Sequence, residues 1–79
     1  MRVTIQYFAA LREAAGRSEE SLDTAASDLD RLLHELRARH GFALAREDLR
    51  VGRNGRLADW RSALCEGDRI AIMPRFSGL

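Results

Sequence analysis

The side chains that could do chemistry in this chain are few and scattered. The chain has two histidines, His34 and His40, and a single cysteine, Cys65. A metal or nucleophilic site needs such residues beside further ligands or a base at suitable spacing, and no such set occurs. The stretch "GRNG" from Gly52 lacks the lysine and hydroxyl of a phosphate-binding loop. We therefore predict no metal site, no cofactor bound by the chain and no self-sufficient catalytic centre.

The C-terminal segment is the remaining chemical feature. Pro74 ends an apolar, strand-like run, and the residues that follow it are Arg75, Phe76, Ser77, Gly78 and Leu79. Ser77 and Gly78 offer almost no surface to bury, which predicts a flexible tail over residues 75–79 on a domain of residues 1–74. Five extended residues reach roughly 17 Å, so the terminal carboxylate could enter the active site of a partner.

Composition limits the class of protein. A chain of 79 residues has room for one domain. Its 13 basic residues, all arginine, are interspersed with 12 acidic ones, a pattern that argues against nucleic-acid binding. No apolar run approaches the roughly 20 residues that cross a membrane. A lone cysteine excludes an internal disulfide, and we predict a cytoplasmic protein whose acidic residues are exposed helix and loop charges.

Several strands are predicted to form the scaffold. The stretch "RVTIQYF" alternates, with Val3, Ile5 and Tyr7 on one face, and "EESLDT" can return beside it as a hairpin. Between them "AALREAAG" predicts a turn or a short helix ending at Gly16. Later, "LRVGRNGRL" predicts a strand, a tight turn at Asn54-Gly55 and another strand, and "DRIAIMP" predicts the last strand.

One long helix is predicted from Ser27 to about His40. Ser27 is a suitable N-cap, and Gly41 a natural C-terminal stop. The apolar positions recur at i, i+3, i+4 and i+7 and form one stripe: Leu29, Leu32, Leu33 and Leu36. The elements together predict an α+β domain in which this single helix packs across a mixed sheet.

Strand alternation also predicts an exposed apolar patch. Phe8 has the parity of Thr4 and Gln6, and Met73 the parity opposite to Ile70 and Ile72, so both should point away from the helix. Phe76 lies beyond the sheet. Large apolar groups in such positions indicate a protein-binding surface. The alternative is that a loop covers them.

Four segments carry a resemblance to a known family. They are "YFAALREAAG", "SDLDRLLHEL", "VGRNG" and "LCEGDRIAIMP", in this order along nearly the whole chain. The chain thereby resembles the MoaD/ThiS family of ubiquitin-like sulfur carriers, and within it the molybdopterin synthase (MoaD) branch. The other branch is generally shorter and lacks the opening phenylalanine-alanine-x-leucine-arginine-glutamate.

The resemblance implies a β-grasp fold and a role for the tail. A ubiquitin-activating-like (MoeB-like) enzyme would use ATP and Mg²⁺ to adenylate the C-terminus, which is then converted to a thiocarboxylate. Inserted into the large (MoaE-like) synthase subunit, that terminus would give sulfur to the precursor of molybdenum cofactor. Gly78 and Leu79 would form the activation site. The partner-binding residues would be Phe8, Leu57, Met73, Arg75, Phe76 and Ser77.

Leu79 departs from the family pattern, which ends in two glycines. Three interpretations remain open: Leu79 is removed or was added for expression, it is itself activated inefficiently, or the chain has lost sulfur chemistry. In the last case the protein would be a non-catalytic ubiquitin-like interaction module. The pathway that receives the sulfur (molybdopterin, thiamine, cysteine or tRNA thiolation) also stays open, as does the oligomeric state.

Overall fold

A computed structural model describes residues 1–75 and shows one sheet crossed by one long helix. The strands are β1 (Arg2–Tyr7), β2 (Glu19–Asp23), β3 (Leu49–Arg53), β4 (Arg56–Ala58) and β5 (Arg69–Pro74). The helices are α1 (Ala10–Ala15) and α2 (Leu29–His40), and a short 3₁₀ turn spans Arg46–Asp48. The α1 segment ends at Gly16 in the left-handed conformation, as the sequence predicts.

The sheet is mixed because β1 and β5, the first and last strands of the chain, are parallel neighbours. Its order is β2-β1-β5-β3-β4. β1 and β5 run parallel, whereas the β1–β2, β3–β5 and β3–β4 pairs are antiparallel. With α2 packed on one face, this is the β-grasp arrangement, so the predicted fold class is confirmed.

The core lies between α2 and the inner face of the sheet. The four leucines of the predicted stripe are each at most 1% exposed. They meet the inward residues of the central strands, which are Val3, Ile5, Tyr7, Val51, Ile70 and Ile72. The predicted inward faces of α2, β1 and β5 are confirmed.

The N-terminus of α2 differs from the prediction by one residue. Asp28, not Ser27, is the N-cap, and its Oδ1 accepts a hydrogen bond of 2.8 Å from the amide of Arg31. Ser27 instead accepts from the Arg31 guanidinium, while its carbonyl accepts from the amide of Leu64. Both residue types cap helices well. The choice is made by the loop at Leu64, which holds Ser27 outside the helix.

The β3–β4 hairpin turns where the sequence predicts. Asn54 and Gly55 both have positive φ, 52° and 87°. A two-residue turn of this kind matches the twist of the flanking strands, and Asn-Gly tolerates it best. Over residues 1–75, no helix is long and apolar enough to span a membrane.

Candidate functional site

A groove crosses the outer face of the sheet, opposite α2. In one cross-strand row Gln6 pairs with Ala71, Ala71 with Gly52, and Gly52 with Leu57. The two central members of the row are the smallest, and this leaves a depression of about 400 Å³ between the larger side chains. A Cβ at Gly52 would stand 3.4 Å from the Arg56 carbonyl oxygen and 3.7 Å from the Ala71 Cβ, so glycine keeps the floor open.

Leu57 and the two described members of the predicted patch, Phe8 and Met73, lie on this face. Leu57 is 72% exposed and lines the groove together with the partly buried Met73. Phe8, 44% exposed, follows Tyr7, and Tyr7 pairs with Ile72. One residue beyond that pair, Phe8 and Met73 therefore share the outer face. No described loop covers Phe8 or Leu57, since both are exposed.

The tail begins beside the same face. Arg75 is exposed, and its amide donates to the carbonyl of Asp48 at 2.7 Å, so the described chain is still held there. The tail that the sequence predicts to be flexible begins at Arg75. The other predicted tail residues, which are Phe76, Ser77, Gly78 and Leu79, lie outside the described residues.

A buried carboxylate, which the sequence analysis missed, holds one end of the groove. Asp68 is 4% exposed and accepts hydrogen bonds from Arg53 Nε at 2.7 Å, Asn54 Nδ2 at 2.9 Å and the Cys65 amide at 2.8 Å. Asn54 Oδ1 in turn accepts from the Arg69 amide. Asp68 thus fixes the hairpin turn at Asn54, whose residues line the groove.

The environment of Asp68 favours its ionised form. Burial by itself would raise the pKa of Asp68, but the hydrogen bonds from Arg53, Asn54 and Cys65 outweigh burial and hold the pKa below its usual value. The bonding pattern requires an acceptor with several lone pairs, which a carboxylate supplies. The prediction that the acidic residues are exposed is therefore wrong for Asp68.

Replacing Asp68 with Asn should lower the free energy of unfolding at pH 7 by about 2–3 kcal/mol, because hydrogen bonds to an ionised group are the stronger ones. Since the folded pKa is depressed, this contribution is present above the unfolded pKa of about 3.9 and disappears as pH falls through the folded value. Denaturant unfolding of both chains at neutral and acidic pH measures the difference, which should shrink in acid.

Asp23→Asn is the matched control for that experiment. Asp23 pairs with Arg2 at 3.2 Å, but both side chains are more than half exposed. Its loss should cost less than about 1 kcal/mol. Equal effects of the two substitutions, or a difference that does not change with pH, would contradict the role given to Asp68.

A second buried polar cluster lies on the core side. Tyr7 donates its hydroxyl hydrogen bond to Glu20, and His40 Nε2 donates to Glu20 Oε2 at 2.5 Å. Burial would raise the pKa of Glu20, but the bonds from Tyr7 and His40 outweigh it and lower the pKa. Burial, with the bond to Glu20, raises the pKa of Tyr7. The prediction of exposed carboxylates is thus wrong for Glu20 too.

The geometry of this cluster indicates a structural role. Glu20 belongs to the edge strand β2, and His40 is the last residue of α2, so the hydrogen bonds join the sheet edge to the end of the helix. His34 is exposed. Among residues 1–75, no group of three or more His, Cys, Asp and Glu side chains could hold a metal ion.

Comparison with known proteins identifies the family to which this arrangement belongs. The model of the ThiS family matches residues 5–78, nearly the whole chain. No curated protein matches. The small archaeal modifier protein 1 (SAMP1) from Haloferax volcanii has a similar structure, with a TM-score of 0.81 at 26% identity, covering 99% of this chain and 99% of that one.

Two further solved structures are similar. One is a putative molybdopterin converting factor subunit 1 from Pyrococcus furiosus, with a TM-score of 0.80 at 27% identity, covering 96% of this chain and 99% of that one. The other is from a complex of subunits 1 and 2 of the molybdopterin-converting factor of Helicobacter pylori. Its TM-score is 0.69 at 23% identity, and it covers 99% of each chain.

Proposed function

The chain belongs to the ThiS family, whose members include the MoaD-type proteins, and from that membership we propose that it carries sulfur on its C-terminal carboxyl group. The carboxylate is adenylated, converted to a thiocarboxylate and used as sulfur donor by a molybdopterin synthase in the cytoplasm. The similarity to the Pyrococcus furiosus converting-factor subunit supports this pathway over the other sulfur-accepting ones.

The observation that carries the proposal is that β5 lines the groove and directly precedes the predicted tail. This strand supplies Ala71 and Met73 to the groove, and Arg75, two residues later, is the root of the tail. A protein that docks on the groove therefore lies close to Arg75, where the predicted tail begins. The proposed partners are a large subunit of MoaE type and an activating enzyme of MoeB type. In the Helicobacter pylori structure, subunits 1 and 2 form a protein–protein complex.

The chemistry needs little from this chain beyond its terminus. A terminal carboxylate oxygen attacks the α-phosphorus of ATP and displaces pyrophosphate, and the activating enzyme supplies the nucleotide and Mg²⁺. Hydrosulfide then attacks the acyl carbon to form the thiocarboxylate, and AMP leaves with the carboxyl oxygen. Gly78 lacks a Cβ beside these reacting atoms, which permits close approach.

Intact-mass measurement tests the proposal directly. The Leu79→Gly variant, which ends in two glycines, is incubated with the activating enzyme, ATP, Mg²⁺ and a sulfur source, and the expected product is heavier by the exchange of one oxygen for sulfur. Omitting ATP should abolish the product. If no chain with a glycine terminus acquires sulfur, and ATP-dependent adenylation of the terminus with release of pyrophosphate is also missing, the sulfur-carrier function is excluded.

Two other functions remain as alternatives. The similarity to small archaeal modifier protein 1 favours a ubiquitin-like modifier, whose terminus would be joined to an amine of another protein. The non-catalytic interaction module would bind partners without any change at its terminus. Mass spectrometry separates the three, since only the modifier forms an amide to a second protein and only the carrier gains sulfur.

Phe8→Ala should weaken binding to the large subunit or to the activating enzyme by roughly 2 kcal/mol or more, the size expected for a central aromatic contact. The fold should persist, because Phe8 is 44% exposed and its structural hydrogen bond, to the Ile72 carbonyl, comes from the backbone amide. Calorimetric titration measures the affinity. Unchanged affinity for both proteins, with an unchanged unfolding midpoint, would remove Phe8 from the interface.

A further inference from the structure

The chain leaves β1 through a strained turn at Ala9. This residue has φ 53° and ψ −130°, angles that mirror those of extended polyproline II backbone. Residues other than glycine rarely adopt positive φ, because their Cβ then crowds the backbone, whereas glycine enters this region freely. Among residues 1–75 the other non-glycine residue with positive φ is Asn54, and asparagine tolerates such a turn. Ala9 is therefore the described position where backbone strain needs an explanation.

Backbone hydrogen bonds hold the strained turn closed. The Leu11 amide donates to the Phe8 carbonyl at 3.1 Å, and the Arg12 amide donates to the Ala9 carbonyl at 2.9 Å. Ala9 is thus the second residue of a reverse turn from Phe8 to Leu11, and its positive φ matches a type II′ turn, in which glycine usually occupies this position. Leu11 is 2% exposed and anchors the far end of the turn in the core. Such strain persists only where the surrounding structure imposes it.

The turn also determines the direction of Phe8. The Phe8 amide donates to the Ile72 carbonyl of β5 at 3.2 Å, and the Phe8 carbonyl is the acceptor that closes the turn. Both backbone polar groups of Phe8 are therefore engaged, one by the sheet and one by the turn. Because the chain reverses directly after Phe8, its ring lies at the end of the outer face and is 44% exposed.

We propose that Ala9 is a positioning residue, which fixes Phe8 in the direction that a docking protein requires. A rigid aromatic contact binds more tightly than a mobile one, because less conformational freedom is lost on association. Glycine would form the same turn without strain, but it would give the backbone beside Phe8 access to more conformations. Ala9 thus lowers stability and restricts Phe8, a combination that is common at functional sites. The inference rests on the proposed function, because it concerns the protein that docks on the outer face.

The test compares affinity for the large subunit with thermal stability in three variants. Ala9→Gly removes the strain and loosens the turn. Ala9→D-Ala, made by chemical synthesis of the chain, removes the strain but keeps the turn rigid, because a D-residue prefers positive φ. Ala14→Gly is the control, since it loosens an exposed position of α1 outside the turn.

The three variants should separate affinity from stability. Ala9→Gly should bind about fivefold more weakly than the parent chain, although its unfolding midpoint does not fall. Ala9→D-Ala should keep the parent affinity and raise the midpoint by about 4 °C or more. Ala14→Gly should lower the midpoint, because glycine disfavours a helix, and leave the affinity unchanged. Hydrogen exchange of the Leu11 amide should be faster in Ala9→Gly than in Ala9→D-Ala.

A double-mutant cycle determines whether Ala9 acts through Phe8. Adding Ala9→Gly to Phe8→Ala should cause no further loss of affinity, because the ring that the turn positions is already absent. A residue with a merely structural role would change the midpoint and leave this coupling at zero. A second loss of the same size in the Phe8→Ala background would overturn the proposal.

The remaining outcomes are equally decisive. Equal affinities of Ala9→Gly and the parent chain would overturn the proposal, as would weak binding by Ala9→D-Ala or an equal loss in Ala14→Gly. Sulfur acquisition by the Leu79→Gly variant is measured separately. If sulfur is acquired while the affinities stay equal, only the positioning role fails. If the affinities differ as expected but no sulfur is acquired, only the carrier function fails. If the large subunit binds none of the chains, the positioning role is overturned, and sulfur acquisition alone decides the carrier function.

Discussion

The Leu79→Gly variant should form a thiocarboxylate at least about a hundredfold faster than the 79-residue chain, when each is given activating enzyme, ATP, Mg²⁺ and a sulfur source. The physical reason is the position of the Leu79 side chain, which adjoins the one carboxyl carbon that must meet ATP and then sulfur. Displacement of reacting groups by about 1 Å can reduce a rate by two orders of magnitude. Intact mass over time measures the conversion of both chains.

Two further chains make the comparison specific. A chain shortened to end at Gly78 tests whether removal of Leu79 is sufficient, and Leu79→Ala tests whether a single methyl group already interferes. Equal conversion of the 79-residue chain and the Leu79→Gly variant would show that a bulky terminus is tolerated. If the glycine-ending chains also stay unconverted while still binding the activating enzyme, the interaction module becomes the better interpretation.

The second large effect concerns the core. Leu33→Ala should reduce the free energy of unfolding by about 2–5 kcal/mol, because the side chain is 1% exposed and its removal leaves a cavity between α2 and the sheet. For a small domain with marginal stability, such a loss is a large part of the total. Chemical denaturation monitored by circular dichroism measures it.

Leu57→Ala is the matched control, because it removes the same atoms from a side chain that is 72% exposed. It should change stability by less than about 0.5 kcal/mol and should affect partner binding instead. Comparable stability losses at the two positions would mean that Leu33 does not lie in a packed core. That outcome would contradict the fold.

The features that the sequence predicted are those determined by local pattern. The leucine stripe of α2, the alternation in β1 and β5 and the Asn54-Gly55 turn depend on residues within a few positions of one another, and each is confirmed. The N-cap was misassigned because the loop at Leu64, which holds Ser27, is distant in sequence. No short-range pattern contains that contact.

The polar groups that sequence reasoning missed are also held by distant partners. Asp68 accepts hydrogen bonds from Arg53 and Asn54, which lie fifteen and fourteen positions away. Glu20 meets His40 across twenty positions. One signal was available for Glu20: it shares the inward parity of Leu22 on β2, so a carboxylate on the core face should have suggested a buried hydrogen-bonded cluster.

The candidate site was predicted in part. Alternation identified the outward direction of Phe8 and Met73, but it could not show that Gly52 and Ala71 create a depression between Met73 and Leu57.

Because β5 is the central strand, the groove forms only when the whole sheet has folded. Every described strand pairing between the β2-β1 half and the β3-β4 half passes through β5, so a chain without it contains two separate hairpins. Isolated hairpins are marginally stable in water at best. The strand that closes the sheet also completes the groove and leads into Arg75. A misfolded or truncated copy therefore lacks the docking face. An activating enzyme that recognises this face would use ATP only on fully folded molecules.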